Sequence, residues 1–133
     1  MVIVLRKRDR EARSRLSAAQ DHSDSDFARR RLVGMDLRRK NLRGANLEFA
    51  DLTEADLERA NLQDANLRGA YLTGAQLEGA NLTGACLEGA YLIATNFRDA
   101  RMEGISLAHA IWDEATTWPD GHPHIRGPVT WRG

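Results

Sequence analysis

Leucine recurs at every fifth residue through the middle of this chain, and no other feature restricts its fold so severely. Stepping by five from Leu37 to Leu107 gives fifteen positions, of which thirteen are Leu and two are Phe97 and Met102. Leu32 extends the series backward and Trp112 extends it forward. Two residues before each centre, from Ala45 to Ala110, twelve of fourteen positions are Ala, with Thr95 and Ile105 as the exceptions. A repeat this regular is read before secondary structure, because it sets the architecture.

A period of five excludes the common elements. In an α-helix each step of five rotates a side chain by roughly 140°, which scatters the leucines around the axis. In a long strand successive leucines fall on opposite faces. The pattern fits a very short extended piece, with Ala and Leu on one side, followed by a bend. Eight of the eleven glycines lie two residues after a centre, at the bend. Asn or Asp often precedes the centre, as at Asp36, Asn41, Asn46, Asp51, Asp56, Asn61, Asn66, Asn81 and Asn96. Such side chains bond to nearby backbone in turns. Four bends close a coil of twenty residues, and coils stack about 4.8 Å apart. The units from Leu32 to Trp112 make slightly more than four coils.

The segments at 45–49, 50–54, 65–69 and 80–84, which read Ala-Asn-Leu or Ala-Asp-Leu followed by two residues, resemble the pentapeptide-repeat family. The resemblance implies an all-β fold: a right-handed quadrilateral parallel β-helix of about four coils, with each centre and the residue two before it facing inward. It divides the chain into a basic N-terminal arm at 1–30, partly helical or disordered, a β-helix at 31–115, and a capping tail at 116–133. The motif encodes the scaffold and says little about function.

Charge and cysteine content bound the setting. The 19 Lys and Arg balance 19 Asp and Glu, yet residues 1–30 carry a net +3 and residues 45–115 a net −8. Cys86 is the only cysteine, so no internal disulfide forms. The apolar run from Val2 to Leu5 is too short to span a membrane. A cytoplasmic protein without membrane association is the expectation. In the arm, Arg10 to Gln20 reads as a short helix and Asp21 to Asp26 as a polar linker. Its cluster of Arg6, Lys7, Arg8, Arg10, Arg13 and Arg15 has the charge to touch nucleic acid or an acidic lipid surface. With no interleaved aromatic residue and no nucleic-acid motif, a solvated arm is the expectation, and direct nucleic-acid binding is not expected.

Residues twenty apart form columns on the outside of the coil. Glu48, Arg68 and Glu88 share one column, and Arg38, Glu58, Glu78 and Arg98 another, patterns that suit surface charge pairing. One face is less polar: Tyr71 and Tyr91 share a column in which their rings can stack, and Ile93 and Ile111 lie near them. Such a patch marks a contact surface, either for a partner or for the chain's own tail. Phe49 stands outward above Gly69, where it can receive the N-terminal arm. The bulkier coil from Thr95 to Trp112 is expected to swell the core. Trp118 and Trp131 are placed to cover the last coil, and the prolines at 119, 123 and 128 cannot continue the ladder.

No catalytic constellation emerges. His122 and His124 lack a third ligand at metal spacing, Cys86 has no activating base, and the glycines at period five do not form a phosphate loop. No cofactor or metal is implied. The reading is a non-enzymatic protein–protein interaction scaffold with an unidentified protein partner. A homodimer through the Tyr71, Tyr91, Ile93 and Ile111 face or through the C-terminal coil is one form this can take. The alternative, implied by some members of the resembled family, is a DNA-mimicking inhibitor of a type II topoisomerase such as gyrase. Its acidic patch would comprise Asp51, Glu54, Asp56 and Glu58. The short rod and its interruption by Arg59, Arg68, Arg98 and Arg101 weigh against it.

Overall fold

The computed structural model describes residues 4–121. One α-helix, α1 (Lys7–Ala18), is followed by a continuous parallel coil. Every pre-centre residue from Asp21 to Ile111 bridges the one twenty residues away, as in Asp21 to Asn41 and Tyr71 to Tyr91. Each extended piece is so short that it contributes a single bridge. The coil therefore has four faces of five-residue units and runs through about five turns, from Asp21 to Thr117.

The backbone hydrogen bonds explain the unit. Around Leu52, the Leu52 N–H donates to Tyr71 O at 2.8 Å and the Glu54 N–H to Thr73 O at 2.9 Å, both in the next coil. The Asp51 N–H donates back to Arg30 O at 2.9 Å in the previous coil. The Ala55 N–H closes the bend onto Leu52 O at 3.0 Å. Glu54, third in that bend, has φ +58°, which is the signature of a type II turn. One donor per unit remains, the N–H just after the centre. At Thr53 it meets the carboxylate of Asp51 at 3.1 Å, and Asn46, Asp56, Asn61, Asn66, Asn81 and Asn96 bond the corresponding N–H in their own units. The Asn/Asp preference before the centre thus satisfies the single donor that the ladder cannot reach.

The axis is filled as the repeat predicts. Leu32 through Leu92 at every centre are fully buried, and Ala45 through Ala90 two residues before are buried at every unit. Thr95 takes an alanine slot without leaving its hydroxyl orphaned, because it donates to Leu72 O at 2.7 Å. Phe97 and Met102 are buried, whereas Ile105, Leu107 and Trp112 in the last coil are only partly covered.

The N-terminal boundary differs from the sequence expectation. The coil begins at Asp21, not at residue 31, and Asp21 to Asp26 is its first side, not a linker. His22 and Phe27 occupy centre positions and are buried, while Asp21 and Asp26 supply the usual side-chain bonds to Ser23 and Ala28. The Leu/Ala signal is missing there, so the period is carried by residues that the Leu count passes over. Nor are residues 4–30 a loose arm. In α1, Asp9, Ala12 and Leu16 fall on one helical face and are buried against the open end of the coil. Asp9 accepts the Arg31 N–H at 3.0 Å, and Arg13 donates to Val33 O at 3.0 Å. Both are groups of the first coil that would otherwise lack a partner. The Arg15 guanidinium lies 5.4 Å from the Phe27 ring centre.

At the other end the ladder steps by twenty-one, from Asn96 to Thr117. Asp113 absorbs the extra residue: its carboxylate accepts the Ala94 N–H at 3.0 Å and the Ala115 N–H at 3.2 Å. Thr116 donates to Leu92 O at 2.7 Å, repeating the Thr95 arrangement one coil further on. Trp118 then stacks on Phe97, with ring centres 4.9 Å apart, and meets Trp112 edge-on at 5.5 Å. Trp131, His122 and His124 lie outside the described residues.

Candidate functional site

Four sequence-selected residues come together on one face. Bridges link Tyr71 to Tyr91 and Tyr91 to Ile111, so these three stand in one column. The two tyrosine rings are parallel within 3°, with centres 4.9 Å apart. Tyr71 is 43 % exposed and Tyr91 38 %, among the most exposed large apolar side chains described. Ile93 and Ile111 flank them half-buried.

This column departs from the scaffold's own rule. Its pre-centre residues are Arg31, Asp51, Tyr71, Tyr91 and Ile111, so only Asp51 can bond the N–H two residues on. At Tyr71 and Tyr91 no side-chain acceptor is offered, and among the described residues the N–H groups of Thr73 and Ile93 have no protein partner. Asn in either place would bond the free amide, as Asn61 does in the neighbouring unit. The tyrosines are therefore not what the coil itself prefers there. That signal is legible in the sequence, where this column holds a single Asn or Asp, Asp51, among its five pre-centre positions.

The acidic group of Asp51, Glu54, Asp56 and Glu58 lies within one coil and turns a corner at Glu54. Three of its four carboxylates have partners. Asp51 and Asp56 are committed to the N–H groups of Thr53 and Glu58. Asp56 lies 3.7 Å from Arg38, and Glu58 3.9 Å from Arg59. Arg38 also pairs with Asp36 at 2.8 Å, and that contact holds the Asp36 carboxyl down to about 2.

Phe49 receives the guanidinium of Arg29, 5.3 Å from its ring centre; Arg29 lies within the segment expected as the arm, which here forms part of the first coil. Its ring lies beside Gly69 and, with Arg68, Gly89 and His109, bounds an open cleft of about 260 Å³. Cys86 is half-buried in the column between Asn66 and Ser106. Among the described residues no group of three His, Cys, Asp or Glu side chains is placed to hold a metal ion. Among the same residues no helix is long and apolar enough to cross a membrane.

The family of Pentapeptide repeats matches the chain in eight copies, over residues 23–59, 50–89, 60–99 and 85–115. The first matched residue agrees with a coil that starts before residue 31. Solved structures similar to this chain are themselves pentapeptide repeat proteins. One, from the Arabidopsis thaliana thylakoid lumen, is 30% identical over 68% of this chain and 60% of its own, with a TM-score of 0.53. Another, from the cyanobacterium Cyanothece 51142, is 35% identical over 74% of this chain and 63% of its own, with a TM-score of 0.43. HetL from Nostoc sp. strain PCC 7120, a protein involved in heterocyst differentiation regulation, is 31% identical over 76% of this chain and 52% of its own, with a TM-score of 0.35. The chain thus spans between 52% and 63% of the length of these relatives. No curated protein matches it in sequence. The relatives are consistent with a right-handed β-helix.

Proposed function

Because this chain belongs to the pentapeptide-repeat family, whose motif specifies a scaffold and leaves function to the outward columns, we propose that it is a non-enzymatic protein-binding scaffold. The proposed contact face is formed by Tyr71, Tyr91, Ile93 and Ile111. What carries the reading is the exposed, parallel tyrosine pair in positions where the coil gains a hydrogen bond from Asn or Asp. Residues kept against the preference of the fold point to selection for something other than the fold. Tyrosine suits this role, since it brings a large apolar area and a polar tip at low rotamer cost.

The partner is another protein or a second copy of this chain, meeting this face or the partly covered last coil at Leu107 and Trp112. Burial of four such side chains contributes on the order of 4–8 kcal/mol before association entropy is subtracted. Sedimentation of the full chain tests the second-copy form: a dimer is expected, dissociated by Tyr91→Glu or Ile93→Glu. A strict monomer at high concentration excludes that form and leaves a different protein as partner. A photo-crosslinking residue at position 91, in native extract, then identifies the protein. If position 91 yields no more crosslinked product than a position on the opposite face, the assignment of the face fails. A cytoplasmic setting belongs to the same proposal, supported by the single free Cys86.

The second reading, a DNA mimic directed at gyrase, draws on the net −8 of residues 45–115. Against it stand the Arg38 and Arg59 contacts to Asp56 and Glu58, which break the negative surface where it should be densest. A supercoiling assay separates the two. The scaffold reading expects no inhibition at a large molar excess over gyrase. Inhibition abolished by charge reversal at Asp51, Glu54, Asp56 and Glu58 would favour the mimic.

A further inference from the structure

The charges of this chain are sorted along the coil axis. Residues 1–44 hold thirteen basic and six acidic side chains, a net +7, whereas residues 45–115 hold four basic and twelve acidic, a net −8. The positive end is not evenly spread. Between the start of α1 and the first coil lies an open cleft of about 580 Å³, lined by Arg6, Arg8, Arg29, Arg30 and Arg31. The two carboxylates beside it are already engaged: Asp9 with the Arg31 N–H and Asp26 with the Ala28 N–H, each at 3.0 Å. Among the described residues none of the five arginines forms an ion pair with a carboxylate. At the rim of this cleft stands Val4, 84 % exposed, beside the half-buried Leu5.

We propose that this end of the coil docks on an anionic lipid surface, with the cleft arginines on headgroup phosphates and Val4 entering the boundary between headgroups and acyl chains. Arginine matches phosphate oxygens with paired N–H donors, and a group of them senses the negative potential of the leaflet. A basic cluster binds reversibly, and an adjacent apolar residue adds to it, because interfacial binding scales with buried apolar area plus attraction to anionic lipid. Such docking departs from the expectation that the basic cluster is solvated and that the chain has no membrane association; it needs no spanning segment. The acidic body is repelled by the same surface, so the coil stands end-on with the tyrosine face clear of the bilayer. Nucleic acid fits less well. It offers no apolar medium for Val4, and no aromatic side chain lines the cleft to stack on a base.

Flotation of the full chain with vesicles tests this. At low ionic strength the chain should float with vesicles of phosphatidylcholine and phosphatidylserine, and not with phosphatidylcholine alone. High salt should release it. Arg8→Glu with Arg30→Glu should lower the bound fraction about tenfold or more, since each basic residue contributes roughly a fivefold factor at such a surface. Val4→Asp should lower it several-fold. Arg98→Glu with Arg101→Glu, the same charge change on the body, should leave flotation unchanged. Circular dichroism checks that each variant is folded, and Arg8→Gln with Arg30→Gln replaces the reversal if it is not. No flotation with phosphatidylserine would overturn the proposal. So would equal losses in the two Glu pairs, which would mean that net charge alone acts, or a Val4→Asp chain that floats like the parent. Tighter binding to a duplex oligonucleotide than to the anionic vesicles would assign this end to nucleic acid instead.

Discussion

A left-handed corner follows every centre from His22 to Leu107, and ten of these corners are not glycine; they include Phe49, Arg59 and His109. A non-glycine residue there costs roughly 1–2 kcal/mol, so the coil carries a distributed strain that the ladder has to offset. Gly69 shows why glycine is retained at some corners. Its φ is +63°, and a Cβ there would sit 2.3 Å from the Phe49 ring, whereas Gly89, at φ +68°, has nothing within 4 Å. Gly69→Ala and Gly89→Ala share the backbone term, so their difference isolates the aromatic contact. Thermal unfolding should show Gly69→Ala with the lower midpoint, and Phe49→Ala should remove the difference. Equal midpoints would mean that the exposed Phe49 ring swings aside at no cost. At this scale the sequence was highly legible within the coil: the period of five identified its buried Leu and Ala residues, as well as the corners, though not Ala12 and Leu16 of α1. The specific partner of each pre-centre Asn or Asp was not, because the donor it satisfies is defined only once the ladder has claimed the other four N–H groups.

The two ends of the coil were harder to read than its middle, for a common reason. A coil end must satisfy exposed ladder groups, and it does so with side chains that obey no period. At the start, Asp9 and Arg13 on α1 bond the first coil while Leu16 covers its core. At the finish, Asp113 takes the place of a backbone acceptor for Ala94, and the one-residue step puts Trp118, not residue 117, at the next centre. Counting by five starts late at one end and loses register at the other. Carboxylates in such roles make the ends acid-sensitive. The Asp113 carboxyl is held below the ordinary 3.8 chiefly by the Ala94 N–H, and Asp36 is held at about 2 chiefly by Arg38. Both folded values lie below the unfolded ones. Their contribution is therefore complete above about 3.8, shrinks as pH falls, and for Asp36 is lost by about 2. Denaturant midpoints at about pH 7 and about pH 3 should show a loss at the lower value that is smaller in Asp113→Asn. An Asp113→Asn chain with the same acid loss as the parent would remove Asp113 from that role.

For the molecule as a whole, a coil of uniform cross-section makes every outward column available for contact, so function is found where the columns depart from what the coil needs. The sequence did single out Tyr71, Tyr91, Ile93 and Ile111, because columns twenty residues apart can be read directly. It also showed Arg59 interrupting the acidic group and Arg38 in the column of Glu58, but not that Arg38 reaches Asp56, because that contact depends on side-chain reach across coils. The central claim is that the tyrosine pair is kept for binding and not for folding. Replacing both residues by Asn offers each unit the side-chain bond it lacks, worth about 0.5–1.5 kcal/mol apiece, against a lost ring stack of similar size. The most direct test is the thermal midpoint of the Tyr71→Asn, Tyr91→Asn double variant beside that of the parent chain. The account predicts a midpoint equal to or above the parent's. A fall of about 8 °C or more, which corresponds to roughly 2 kcal/mol in a domain of this size, would contradict it and make the stacked tyrosines part of what holds the coil together.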